Sequence, residues 1–222
     1  MLKRIKQVLY RILGLQGLLT ISAFYHLYKH SYEPGFQEFL SLIPLNGVLL
    51  DVGANIGVTC VLARRQRPDI NLIAFEPLPS NLRVLRILRL IYSIRNMQVF
   101  PVAIGEEEKT VVITIPRVDG VPSTGLSHVS LVDSATDEAT YKVLMRNLDS
   151  FSFNQVDAIK IDVESYEFNV LLGAQRLIEI HRPIIYCEIM CEDKLRGITA
   201  FMSPLGYSCV QKDAVDFLFR PY

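Results

Sequence analysis

Five carboxylates stand where apolar runs end, and they are the side chains of this chain best placed to do chemistry. Asp51 closes Val48-Leu49-Leu50-Asp51-Val52, and Glu76 closes Asn71-Leu72-Ile73-Ala74-Phe75-Glu76. Asp162 and Glu164 close the run that starts at Val156, and Glu188 closes the one that starts at Pro183. A carboxylate at a strand end can grip ribose hydroxyls, take a proton from an acceptor, or ligate a divalent cation such as magnesium. Between the first two acids lies Gly53-Ala54-Asn55-Ile56-Gly57, a turn that leads from the first run into helical spacing over Val58 to Arg65. Such a turn aims backbone N–H groups and a positive helix end at a ligand. Glu76 follows at about the spacing at which nucleotide-binding βαβ units place their ribose carboxylate.

The elements that must carry these residues can be read in order. Runs with both faces apolar predict buried parallel strands at Val48–Val52, Asn71–Glu76, Met97–Ala103, Val156–Val163 and Pro183–Ile189. Helices are expected over Pro34–Ile43, from Ser80 or Asn81 to Ser93, from Glu164 to Ile180, and over Asp193–Met202. Lys109–Ile115 alternates like a strand with one wetter face, Tyr141–Leu148 reads as another, and Asp119–Ser134 reads as a long surface loop. Tyr207–Val210 and Asp216–Phe219 form an edge hairpin. Strands alternating with helices predict an α/β fold with a doubly wound, mainly parallel sheet and helices on both faces. Ligands in such sheets sit at the strands' C-terminal ends, where the five acids lie.

At 222 residues the chain is expected to form an N-terminal helical extension, residues 1–30, and one domain, residues 31–222. Lys3, Arg4, Lys6 and Arg11 share one face of the extension; Leu2, Ile5, Val8, Leu9, Ile12 and Leu13 share the other. Three readings stay open for it: a helix packed on the domain or in a homodimer contact, a basic amphipathic helix lying on a membrane, or a spanning or signal segment. With 23 basic and 23 acidic residues, nothing global points to nucleic acid. The four cysteines form no CxxC pair and read as buried free thiols in a reducing, cytoplasmic compartment, with the protein either soluble there or peripheral at a membrane. None of the four histidines ends an expected strand, and His128 in the long loop is the reserve base.

The turn lacks the middle glycine of a dinucleotide fingerprint, since Asn55 stands there, and this argues against a dehydrogenase. The chain instead resembles the FkbM family of S-adenosylmethionine-dependent methyltransferases. Four segments carry the resemblance: Leu50 to Gly57; Ala74-Phe75-Glu76-Pro77 with Asn81; Val102 to Gly105; and Ile159 to Glu164 with Leu171 and Gly173-Ala174. The resemblance implies a class I methyltransferase fold with S-adenosylmethionine draped over the first two strand ends. It implies a cofactor set of Asp51, Gly53, Ala54, Asn55, Gly57, Glu76, Pro77, Val102 and Ala103. Gly53 to Gly57 would line the methionine part, Asp51 would lie near the ammonium, Glu76 would hold the ribose, and Val102-Ala103 would border the adenine. It also implies O-methylation of a sugar, glycolipid or secondary metabolite, a small-molecule or glycan acceptor. Asp162, Glu164 and then Glu188 are the acids expected to activate that acceptor, as bases or as ligands of a divalent cation (magnesium). A structural role as helix cap is the competing reading for Asp162. A protein that kept the cofactor fold without turnover, serving as a membrane-surface or partner-binding module, is the rival from another class. The family usually follows Asp-Val-Glu with Gly and a small residue. Here Ser165 and Tyr166 stand there, so Tyr166 either reshapes the acceptor site, donates a hydrogen bond to the acceptor, or rests on the surface.

Overall fold

A computed structural model describes residues 2–29, 33–130 and 139–222. The chain opens with α1 (Leu2–Lys29) and α2 (Pro34–Ser41). Strand and helix then alternate: β1 (Val48–Val52), α3 (Val58–Gln66), β2 (Asn71–Phe75), α4 (Pro79–Ile91) and β3 (Met97–Phe100). An inserted block follows, with β4 (Ala103–Ile104), β5 (Lys109–Ile115), β6 (Arg117–Val118), β7 (Val121–Pro122), β8 (His128–Ser130) and β9 (Ala139–Arg146). Alternation resumes with β10 (Ala158–Ile161), α5 (Glu167–Leu172), α6 (Gln175–His181), β11 (Ile184–Glu188) and α7 (Glu192–Met202), and the chain closes with β12 (Tyr207–Gln211) and β13 (Asp216–Pro221).

Seven strands form the main sheet in the order β12-β13-β11-β10-β1-β2-β3. β11, β10, β1, β2 and β3 run parallel, and only the closing hairpin is antiparallel. Both faces are covered, which is why β1 is apolar on both faces apart from Asp51. Its Leu49 points into a core shared with α2, α3 and α4, and the next residue, Leu50, into a second core shared with α5, α6 and α7. Both side chains are fully buried, each stabilising the fold by roughly 1.5–3 kcal/mol.

Four expectations are corrected. The third strand ends at Phe100, and Ala103-Ile104 belongs to a separate four-stranded sheet, β4-β9-β5-β8. The segment read as loop from Asp119 carries β7, a 3-10 turn at Thr124–Leu126 and β8; its residues 131–134 lie outside the described ones, as does His30. The helix expected from Glu164 begins only at Glu167, because Glu164 and Ser165 adopt positive φ (51° and 80°). It is broken again at Gly173, where a Cβ would overlap the Gly105 carbonyl oxygen. The N-terminal helix is interrupted at Gly14, whose φ of 65° and ψ of −175° suit glycine alone.

Beyond that break, Leu19, Ala23 and Leu27 of α1 are built into the first core, and α1 packs on α3, α4 and β7. Lys3–Lys29 is long and apolar enough to cross a membrane, with mean hydropathy 1.3, yet its second half is part of the domain.

The turn after β1 depends on Gly53. Its φ is +83°, and a Cβ there would run into the backbone carbonyl of Asp162 at the end of β10. Gly53→Ala should therefore lower the unfolding free energy by at least roughly 1–3 kcal/mol. Wild-type stability of this variant in urea unfolding would show that the two strand ends do not pack this closely.

Candidate active site

Glu76 holds the turn from the neighbouring strand. Its Oε2 accepts the Asn55 backbone N–H at 2.9 Å, and its Oε1 accepts the Leu78 N–H at 2.8 Å and the Asn81 side-chain amide at 3.2 Å. The Phe75 carbonyl oxygen takes the N–H groups of Gly53 and Ala54 at 3.1 and 3.0 Å. The Glu76 side chain is almost wholly buried, and burial pushes its carboxyl up to about 7 against these hydrogen bonds.

Gly53, Asn55, Glu76, Pro77, Val102 and Ala103 line one cavity of about 640 Å³ with its open mouth included. Asp162 and Glu164 close its opposite wall, and His128 and Tyr166 line it as well. Ala54 lines an adjoining cleft with His26, Lys160 and Asp162. Gly57 precedes α3 as its N-cap. Asp51 lies behind the cavities, fully buried, with one oxygen accepting the Cys60 thiol at 3.1 Å. Apolar walls at Pro77, Val102 and Ile104 suit a purine, and the Glu76 carboxylate suits ribose hydroxyls. Asn55 Oδ1 and Asn81 Oδ1 are buried at this cavity without a hydrogen-bond partner among the described residues, an opening for donors on a ligand. The residues present thus fit S-adenosylmethionine.

Lys160 is the group that sequence reasoning passed over, as one polar residue inside an apolar strand. It stands directly opposite Asp51 in the β1–β10 register, so both side chains meet on one face of the sheet. Its ammonium lies 3.6 Å from Asp51 Oδ1, donates to Asp162 Oδ2 at 3.1 Å and reaches the Gly53 carbonyl oxygen at 3.4 Å. Burial works against the ammonium, but Asp162 and Asp51 more than offset it, so its pKa lies above that of an ordinary lysine. The signal available was this register: a lysine two residues before Asp162, in the strand beside Asp51.

A second cavity continues from the first and is lined by Asp162, Glu164, Glu188 and Asp216. Burial first, and the charge of Asp162 second, push both Glu164 and Glu188 up to about 7. Asp162 does not cap α5, which has no side-chain cap. Among the described residues no group of three or more His, Cys, Asp or Glu is arranged to hold a metal ion, so the divalent-cation reading gains no support. Tyr166 is neither a surface residue nor free to serve an acceptor: its hydroxyl donates to both oxygens of Glu106, at 3.1 and 2.9 Å. His128 lies on β8 beside the first cavity, and His26, unremarked in the sequence, lines the second. Of the cysteines, Cys60 and Cys187 are buried, whereas Cys191 is exposed, contrary to expectation.

The fold has counterparts among known proteins. A family model described as the methyltransferase FkbM domain matches residues 51–209. The chain belongs to this family. Methyltransferase 1 of Beauveria bassiana is 24% identical, aligned over 59% of this chain and 59% of its own. The chain thus spans less than two thirds of that relative. The structure of an FkbM methyltransferase from Methylobacillus flagellatus superposes with a TM-score of 0.57 at 16% identity, covering 91% of this chain and 58% of that one. A Streptococcus mutans protein solved in complex with SAH (S-adenosylhomocysteine) gives 0.51 at 10% identity, covering 83% and 92%. At these identities the structures show a shared class I methyltransferase fold.

Two outcomes follow from the buried charges. Lys160→Met would leave Asp51 as an uncompensated buried carboxylate and should cost roughly 3–5 kcal/mol in urea unfolding; an unchanged midpoint would contradict the pairing. Ribose hydroxyls donate best to an ionised carboxylate, whereas Glu76 takes up a proton as pH falls through about 7. SAH affinity should therefore be level above that pH and weaken below it, by up to roughly tenfold per pH unit. Glu76→Gln should bind roughly one to two decades more weakly and lose this dependence. Calorimetry showing the same pH profile in both forms would remove Glu76 from the ribose.

Proposed function

We propose that this chain transfers a methyl group from S-adenosylmethionine to a hydroxyl of a sugar, glycolipid or secondary metabolite. One observation carries the reading: Asp162 and Glu164 line both the cavity that fits the cofactor and the acid-lined cavity beside it. Bound in the first cavity, S-adenosylmethionine supplies an electrophilic methyl on a sulfonium whose sulfur leaves as a neutral thioether.

The chain's own residues then have two tasks, to align a hydroxyl with that methyl and to remove its proton. Asp162, fixed by Lys160 at 3.1 Å, accepts a hydrogen bond from the acceptor and holds it at the junction. Glu164 takes the proton as the C–O bond forms. Its carboxyl, held near 7, is basic enough to accept a proton and acidic enough to be ionised at neutral pH. Glu188, deeper in the second cavity, provides the same chemistry at greater remove from the cofactor.

Glu164→Gln should lower turnover by roughly 100- to 10,000-fold while SAH affinity holds. The assay is label transfer from radioactive S-adenosylmethionine to a panel of alkyl glycosides. Near-normal turnover would take the proton-acceptor role from Glu164.

The outer side of α1 supports a second part of the reading, a protein peripheral at an anionic membrane. Val8, Ile12 and Leu13 are 52%, 72% and 45% exposed, and the basic Arg4 and Arg11 flank them. Apolar insertion with basic contacts to lipid headgroups is the interfacial mode such a surface suits. Binding to phosphatidylserine vesicles should then fall as salt rises; salt-independent binding, or equal binding to neutral vesicles, would contradict it.

A further inference from the structure

The break at Gly14 has a consequence for the acceptor. Because α1 changes direction there, residues from both of its halves line one long groove: Ile5 and Leu9 before the break, Leu18, Ile21 and Tyr25 after it. Pro122 to Gly125, from β7 and the 3-10 turn behind it, form the facing wall. The groove is larger than the cofactor cavity, about 1430 Å³ with its open side included, and its surface is mostly apolar. Ile5, Ile21 and Tyr25 stay 48%, 42% and 55% exposed although they line it, so the described residues do not fill this groove. The groove is also held open. Lys3 pairs with Asp119 in the β6–β7 turn, and Gln7 Nε2 donates to the Asp119 carbonyl oxygen at 2.8 Å, pinning the first half of α1 to the domain.

Its other end leads to the chemistry. Asn55 and Gly125 line this groove, the cofactor cavity and the acid-lined cavity alike. The two side chambers differ sharply in character. The acid-lined one presents Asp162, Glu164, Glu188 and Asp216, which reject an anionic head and accept hydrogen bonds from hydroxyls. The other offers an extended trough whose exposed surface is mostly apolar, from Ile5, Leu9, Leu18, Ile21 and Tyr25, with Lys6, Ser22 and Ser123 among the polar residues of its lining.

We propose that the groove along α1 binds the alkyl chain of the acceptor, so that the substrate is a neutral amphiphile with a polyol head over Glu164 and its tail beneath the N-terminal helix. This rests on the methyl-transfer reading and narrows it to a class of substrate. A free fatty acid is the wrong ligand, since its carboxylate would enter the acid-lined chamber. A small polar sugar is incomplete, since it would leave the groove empty. The same helix that carries the exposed apolar and basic outer side thus forms the tail site, placing the substrate's entry where an amphiphile would come from.

The test uses octyl, decyl and dodecyl β-D-glucosides, each below its micelle concentration, titrated calorimetrically into the full chain saturated with SAH. Affinity should rise roughly fourfold per buried methylene, so roughly fifteenfold from octyl to decyl. Ile5→Asp and Ile21→Asp change side chains that are already substantially exposed and so leave the fold intact. Each should flatten the chain-length dependence while SAH affinity stays at the wild-type value. Affinities independent of chain length in the wild type, or a slope that both variants retain, would overturn the tail site. A wild-type dimer in light scattering that saturating glucoside leaves intact and that Ile5→Asp and Ile21→Asp dissociate would also overturn it, because a second copy would then be the groove's occupant. SAH binding is read first in every titration. Its absence in the wild type would strike the cofactor reading, whereas normal SAH binding with a flat glucoside series strikes the groove alone.

Discussion

One buried cation ties the two halves of the site together. The Lys160 ammonium sits at the ends of β1 and β10, between Asp51 of one strand and Asp162 of the other, and also reaches the Gly53 carbonyl oxygen. A charge in that position is tolerated only because two carboxylates face it. Its position is a matter of register: Asp51 and Lys160 are neighbours across a parallel ladder, so a one-residue slip would send the lysine into the apolar core behind. The close packing of Gly53 on the Asp162 backbone fixes the same seam from the other side. The Gly53–Gly57 turn and Asp162 are therefore parts of one rigid unit, not two loops that meet by chance.

From that seam the distribution of polarity follows. On one side Glu76 accepts three hydrogen bonds, from Asn55 in the turn and from Leu78 and Asn81 at the start of α4, which leaves capacity for further donors, and burial raises its carboxyl to about 7. On the other side Glu164 and Glu188 share a cavity with Asp162, and burial together with its negative charge hold both near neutrality. A group whose proton affinity matches the surroundings can take a proton and release it again, and that is the property a methyl acceptor's hydroxyl calls for. Asp162 is tied up by Lys160, which suits it to orientation more than to proton transfer.

Much of this was legible in the sequence, and for definite reasons. Leu49 and Leu50 face opposite cores, so β1 is apolar on consecutive residues, the pattern of a doubly covered parallel strand, with Asp51 its polar exception. The spacing from the Gly53–Gly57 turn to Glu76 reflects the fixed length of a strand–helix–strand unit. What escaped were features set by contacts between distant segments. Lys160 gains its meaning only from its partner in the next strand. The need for a glycine at 173, where the helix breaks, comes from the Gly105 carbonyl oxygen, far away in sequence. The backbone at Glu164 and Ser165 is left-handed, against the preference of both residues, and nothing local announces it. Tyr166 was read as facing an acceptor or solvent, because its partner Glu106 lies in the inserted block. The second half of α1 was one of three open readings, since an apolar helix face looks the same whether a domain or a lipid covers it.

The most direct measurement of the whole account is a crystal structure of the chain with SAH bound. The account expects the ribose hydroxyls on Glu76, the adenine against Pro77 and Val102, and the sulfur directed toward Glu164 and the junction at Asn55 and Gly125. SAH bound elsewhere, or bound with its sulfur turned away from the cavity that holds Glu164 and Glu188, would contradict it.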